Sequence, residues 1–145
     1  VSMSGFTCSL VFACYGNNNR TNAIRIPMCG GRVELRAADS ANNPYLGAAL
    51  VLAAGLEGAR DKIDPGPPHT DNMYLKSPQE LESLGVQYLP RTLSEAIDAF
   101  ESDPLTKSVF GDLLAKTFVD FIRSYGDSYM NHVSRFERDR YLKLF

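Results

Sequence analysis

Arg20, Arg25, Arg32 and Arg36 lie within seventeen residues of one another, and no Asp or Glu precedes Glu34 anywhere in the chain. A guanidinium presents paired N–H donors whose geometry matches a carboxylate or a phosphate. Several of them converging on one carboxylate make a donor set for phosphoryl transfer, with the acid holding a divalent cation between phosphate oxygens. The same residues also describe an exposed cationic hairpin with a Glu34–arginine ion pair, which contributes little at a surface. Spacing alone leaves both readings open.

Other chemistry is thinner. There is no Ser-His-Asp pattern, no H-E-x-x-H and no P-loop, and GNNNRTN is a poor phosphate cradle by itself. Cys8, Cys14 and Cys29 share no C-x-x-C spacing and have only His69 and His132 to help them bind a metal, so reduced cysteines are expected. His69 sits in a proline-rich stretch and reads as a surface histidine, as does His132. Asn43 reads as a helix cap and Tyr45 as core filling. Tyr74 is expected to be exposed, with modification or nucleotide stacking as the sharper alternative.

The elements that must position the arginines follow from periodicity. LVFACY, residues 10–15, reads as a buried strand, and residues 22–27 and 32–37 alternate as two more, joined through Gly30-Gly31 as a hairpin. Alternation places Arg32, Glu34 and Arg36 on one strand face. The period then changes to about 3.6. Asn43-Pro44 supplies an N-cap and an N1 proline, and YLGAALVLAAGLEGARDKI is apolar on nearly every side, which predicts a core helix. Residues 64–78 are rich in Pro, Gly, Asp and Asn and predict a long irregular segment. Short helices follow over 78–84 and 93–101, the latter capped by Thr92 with Glu95 three residues on. From Asp103 onward the chain is helical with a break near Gly111, and its last helix aligns Phe118, Phe121, Ile122, Tyr125 and Tyr129. The expected class is α+β: short antiparallel strands, then a mainly helical C-terminal region.

Composition excludes several functions. With 145 residues, 44% of them hydrophobic, 22% charged and a net charge of -2, there is no bulk basic field for nucleic acid. The apolar run 46–56 is too short to span a bilayer and is cut by glycine. No signal-peptide pattern opens the chain, and a cytoplasmic location is expected. Val1 begins a serine-rich, capless stretch that reads as the interior of something longer. No linker marks a second domain.

NNNRTNAIRIP, GRVELRAADSANNPYL, AAGLEGARDKIDPG, DNMYLKSP, LPRTLSEAIDAF and FERDRYLKLF, in that order, resemble the C-terminal part of the glutamine synthetase catalytic domain. The resemblance runs from about Gly16 to Phe145, and its N-R-x(4)-R-I-P and R-x-E-x-R-x(2)-D-x(3)-N-P-Y-L spacings are specific. It implies that the strands are part of a larger sheet, and that residues 1–145 are a C-terminal fragment of such a domain. It also implies an ATP-dependent ligase that phosphorylates the γ-carboxylate of glutamate and lets ammonia displace the phosphate. The site would be a funnel between subunits of a homo-oligomeric ring, with Mg²⁺ or Mn²⁺.

Carried over by position, the resemblance makes Glu34 a metal ligand. Arg20 and Arg25 would contact the ATP phosphates and the transferred group, Arg32 the nucleotide, and Arg36 the glutamate γ-carboxylate. Arg20 and Arg36 are thus the catalytic candidates. Ammonia-using members carry a glutamate on a flap shortly before the N-R motif, and SGFTCSLVFACYG holds none. Relatives without it join glutamate to organic amines, so an amine acceptor is the alternative, beside a non-catalytic relative that assembles with complete subunits. The family's remaining metal ligands have no counterpart here, which predicts that this chain alone is catalytically incomplete.

Overall fold

The computed structural model describes residues 11–144, so residues 1–10, Cys8 and Leu10 among them, lie outside the described residues. The class is α+β. The chain forms two compact units, Val1–Arg91 and Thr92–Phe145, and the sequence carries no linker signature at that boundary.

In the first unit the run expected as one strand is two, β1 (Phe12–Ala13) and β2 (Tyr15–Asn17), divided at Cys14. β3 (Ile24–Ile26) and β4 (Glu34–Leu35) form the expected antiparallel hairpin, with Arg25 opposite Glu34. β2 instead runs parallel to β3, Tyr15 beside Ile24 and Asn17 beside Ile26. Parallel neighbours normally need a long crossover. Here the strands are so short that the connection retraces only ~10 Å, which residues 18–23 can cover. β1 pairs antiparallel with β5 (Gln87–Tyr88), a strand the sequence reading did not contain.

The core gathers where that distant strand returns. Phe12, Met73, Leu81 and Val86 are buried together, with Cys14 and Tyr74 packed against them. The Phe12 ring lies 5.9 Å from Tyr74 and 5.5 Å from Tyr88. Tyr74 is therefore half-buried rather than exposed, because the turn Met73–Leu75 points Met73 fully inward and carries its neighbour with it. α2 (Pro78–Ser83) supplies Leu81, and Ser77 and Glu80 close a capping box over its first turn.

α1 (Pro44–Asp61) begins as expected: Asn43 Oδ1 accepts from the Tyr45 and Leu46 amides at 3.0 and 3.2 Å, with Pro44 at the first position. Its burial does not match the expectation. None of its residues is buried, and Tyr45 is 84% and Leu52 65% exposed. A helix apolar on nearly every side needs cover all round, and among the described residues of this unit it lines an open apolar groove of about 530 Å³ with Leu35 and Ala38. No helix among the described residues is long and apolar enough to cross a membrane.

In the second unit, α3 (Leu93–Ser102) starts at Thr92, whose Oγ1 accepts from the Glu95 amide at 3.1 Å. α4 (Pro104–Met130) is bent at Gly111, where φ is 70° and ψ 161°, a conformation open to glycine alone at low cost. Phe100, Phe110 and Phe118 stack as a trio with centroids 5.2 to 6.0 Å apart. Arg123 ties α4 to Asp98 and Glu101 of α3 at 3.1 and 2.6 Å. The expected aromatic face divides: Phe118 and Ile122 are half-buried beside buried Val119, while Phe121, Tyr125 and Tyr129 remain exposed. Gly126 has a use, since a Cβ there would come within 3.2 Å of a Leu93 methyl. α5 (Arg135–Tyr141) closes the described chain with a second capping box, Ser134 with Glu137.

Candidate active site

The site is assembled on the turn between β2 and β3. Asn19 is 9% exposed, and every hydrogen-bonding position of its amide is used. Its Nδ2 donates to the His69 and Asp71 carbonyls at 2.9 and 2.7 Å, and its Oδ1 accepts from the Thr21 amide and hydroxyl at 3.0 and 2.8 Å. Asn22 is fully buried, donates to the same His69 carbonyl at 2.9 Å and accepts from the Cys14 thiol at 3.3 Å. The Met73 amide donates to Thr21 Oγ1 at 3.2 Å, the Tyr15 hydroxyl to the Gly66 carbonyl at 2.7 Å, and the His69 amide to the Tyr15 carbonyl at 2.8 Å. Gly16 allows this approach, because a Cβ there would run into the His69 carbonyl oxygen and Asn22 Nδ2. Burial pushes the Cys14 thiol pKa up.

On this frame stands the charged cluster. Arg25 Nη1 donates to Glu34 Oε2 at 2.7 Å, and its Nη2 donates to Asn18 Oδ1. Arg32 Nε and Nη2 donate to the other Glu34 oxygen at 3.3 and 3.2 Å, while its Nη1 faces Cys29 Sγ at 3.4 Å. One carboxylate thus holds two guanidiniums. The Arg25 bond, followed by that from Arg32, draws the Glu34 pKa below the ordinary glutamate value against the opposing effect of desolvation. The Arg25 side chain is only 14% exposed and that of Arg32 57%.

The predicted residues are not all brought to that carboxylate. The expected strand over 32–37 is regular only at Glu34–Leu35, so Arg32 and Arg36 flank it rather than belong to it. Arg32 nevertheless reaches Glu34, as alternation predicts. Arg36 donates its amide to the Ala23 carbonyl at 2.8 Å and is half-buried, but makes no ion pair among the described residues. Arg20 is exposed on the turn and also makes none. The Nε atoms of both Arg25 and Arg36 are buried without a hydrogen-bond partner. Buried donors of that kind are uncommon and mark a place where an acceptor fits.

Two features escaped the sequence reading. Asn19 belongs to the turn-rich GNNNR and Asn22 opens the expected strand over 22–27, yet the two form a buried clamp, and His69 serves through its backbone. Asparagine density in GNNNRTN was the available signal, but its partners are about fifty residues away and leave no local trace.

A divalent cation finds too little here. Among the described residues no three His, Cys, Asp or Glu side chains come together, and both Glu34 oxygens already face guanidiniums. These residues do not fit a metal by themselves. They do suit a phosphate or carboxylate, since two arginines share one acid and the buried Nε donors of Arg25 and Arg36 are unmet.

A family model described as the catalytic domain of glutamine synthetase matches residues 5–141. The glutamate–methylamine ligase of Methyloversatilis universalis is 40% identical over 144 residues, 99% of this chain and 32% of that protein. Glutamine synthetases of Methanosarcina mazei and Staphylococcus aureus are 39% and 34% identical over 137 residues, 92% of this chain and 31% of each of theirs. A solved structure of a GmaS/ADP complex matches with a TM-score of 0.80 at 37% identity, covering 97% of this chain and 31% of the other. The chain spans about a third of the length of the curated relatives it matches.

Proposed function

Because the chain belongs to the glutamine synthetase catalytic-domain family, we propose that it carries the phosphate-facing part of an ATP-dependent glutamate–amine ligase. The observation that carries this is the pair of buried, unpartnered guanidinium nitrogens beside the Arg25–Glu34–Arg32 cluster. In the reaction a γ-carboxylate oxygen of glutamate takes the γ-phosphoryl group of ATP and ADP departs. The amine nitrogen then attacks the acyl carbon, losing a proton, and phosphate leaves.

Each arginine has a part in that sequence. Arg20, Arg25 and Arg32 bind phosphate oxygens, and Arg36 directs its free Nε to the γ-carboxyl group. Their fixed positive charge stabilises what accumulates on the transferring group. Glu34 keeps Arg25 and Arg32 oriented. As a metal ligand it would be one oxygen in a shell completed by groups outside these residues.

An organic amine is favoured over ammonia as acceptor. The supporting facts are the 40% identity to a glutamate–methylamine ligase across nearly the whole chain and the absence of any acid before Glu34. The 39% identity to a glutamine synthetase keeps ammonia as the second reading. A chimera decides: this segment replaces the aligned third of the Methyloversatilis universalis ligase, and phosphate release is followed with glutamate, ATP and either methylamine or ammonium. Turnover with methylamine supports the proposal. Turnover with ammonium alone moves the assignment to ammonia, and an inactive chimera that folds and assembles refutes the catalytic reading.

A further inference from the structure

Arg25 is held from two sides, and only one of them is an acid. Nη1 meets Glu34 Oε2 at 2.7 Å, whereas Nη2 meets the side-chain carbonyl of Asn18. Asn18 lies in the left-handed region with φ of 50°, and its amide donates to the Ile26 carbonyl at 2.7 Å. The next residue, Asn19, is clamped to the His69 and Asp71 carbonyls. The backbone of Asn18 is thus fixed on both sides, and its conformation turns the side chain toward β3. Asparagine suits this role, tolerating the left-handed region better than most residues and bringing an acceptor without charge.

We propose that Asn18 is a positioning residue for Arg25: it fixes the guanidinium plane so that the buried Nε keeps one direction. An ion pair to Glu34 alone would leave the plane free to swing about a single contact. With Asn18 on the second terminal nitrogen, the plane is set by two acceptors from different strand ends. The charge of Arg25 is left incompletely neutralised, because Asn18 contributes a dipole and no negative charge. The role in catalysis rests on the assignment of Arg25 to phosphate contacts above, while the positioning is a property of the chain itself.

The test is nitrogen-15 arginine NMR on the 145-residue chain, reading rotation about the Cζ–Nη bonds, with Arg25→Lys to assign the signal. Arg25 is expected to rotate about tenfold more slowly than exposed Arg20, the equivalent of one charge-assisted hydrogen bond. Asn18→Gly keeps the left-handed backbone accessible and should bring the rate up by about tenfold with the β3–β4 amide spectrum unchanged. Asn18→Asp, which retains an acceptor, should keep it slow. Arg25 rotating as freely as Arg20 in the wild type overturns the proposal, as does an unchanged rate in Asn18→Gly. If Asn18→Gly does not fold, the wild-type and Asn18→Asp rates decide by the same comparison. Phosphate release by the chimera addresses the other reading: slow Arg25 rotation here beside a folded, assembled and inactive chimera sinks the phosphate assignment and leaves the positioning intact.

Discussion

Replacing Asn19 by aspartate changes one NH₂ group to an oxygen, leaves volume nearly constant and strikes the clamp that carries the arginine turn. Both Nδ2 bonds, to the His69 and Asp71 carbonyls at 2.9 and 2.7 Å, are lost. Each is worth ~1 kcal/mol net. The His69 carbonyl keeps its bond from Asn22, but the Asp71 carbonyl, part-buried against Asn19, now faces an acceptor, adding ~1–3 kcal/mol. The sum is ~3–5 kcal/mol, against the ~5–15 kcal/mol that stabilises a typical domain. At a urea m-value of ~2 kcal/mol/M this lowers the midpoint by about 1.5–2.5 M. The assay is urea unfolding monitored by NMR amide signals of the first unit, with exposed Asn17→Asp as the control for the charge change. The loss should also depend on pH. Burial against two carbonyls raises the introduced carboxyl's folded pKa above its unfolded value. The variant is therefore relatively more stable at low pH, where the neutral acid donates one bond, and loses that advantage as pH rises through the folded pKa. A midpoint within about 0.5 M of wild type at pH 7, or a loss independent of pH, would refute the clamp.

Three further outcomes follow from the geometry. Leu81→Ala should cost ~2–5 kcal/mol in chemical unfolding, since Leu81 is 2% exposed in the core with Phe12 and Met73; a loss under ~1 kcal/mol would mean that the core collapses around the gap. The start of α2 should fray in acid. The Glu80 pKa is lowered by bonds from the Ser77 amide and hydroxyl region, so its capping contribution is present above the ordinary glutamate range and lost as pH falls through the folded value. Amide exchange at Ser77 reads this, and protection unchanged down to pH 2 would count against it. Finally, Glu34→Gln should strengthen metal-free binding of inorganic tripolyphosphate by up to about fivefold, the upper range for an exposed charge pair. Weaker binding in calorimetry would show that Glu34 orients the guanidiniums more than it competes for them.

Local grammar determined much of the outline in advance. Asn43-Pro44 starts α1 by local chemistry, because the cap oxygen and the proline ring need only the next three residues. Thr92 and the break at Gly111 are of the same kind, and so is the β3–β4 hairpin with its visible alternation, whereas its register, with Arg25 opposite Glu34, is supplied by the structure. The family resemblance lay in residue order and spacing, which a sequence displays directly.

What tertiary structure alone decided is everything made across long separations. β1 chose β5, some seventy-five residues away, over continuing as one strand into β2. Asn19 and Asn22 became a buried clamp because the carbonyls of His69 and Asp71 arrive from a segment with no periodicity. α1 reads as a core helix by composition, yet none of its residues is buried in this unit. Hydrophobicity states what a segment needs, whereas burial depends on which surfaces the rest of the fold brings to it. The same holds for the arginines. Their number and order are written in the chain, but which of them share Glu34 and which keep an open donor is settled only when the strands and the clamp have met.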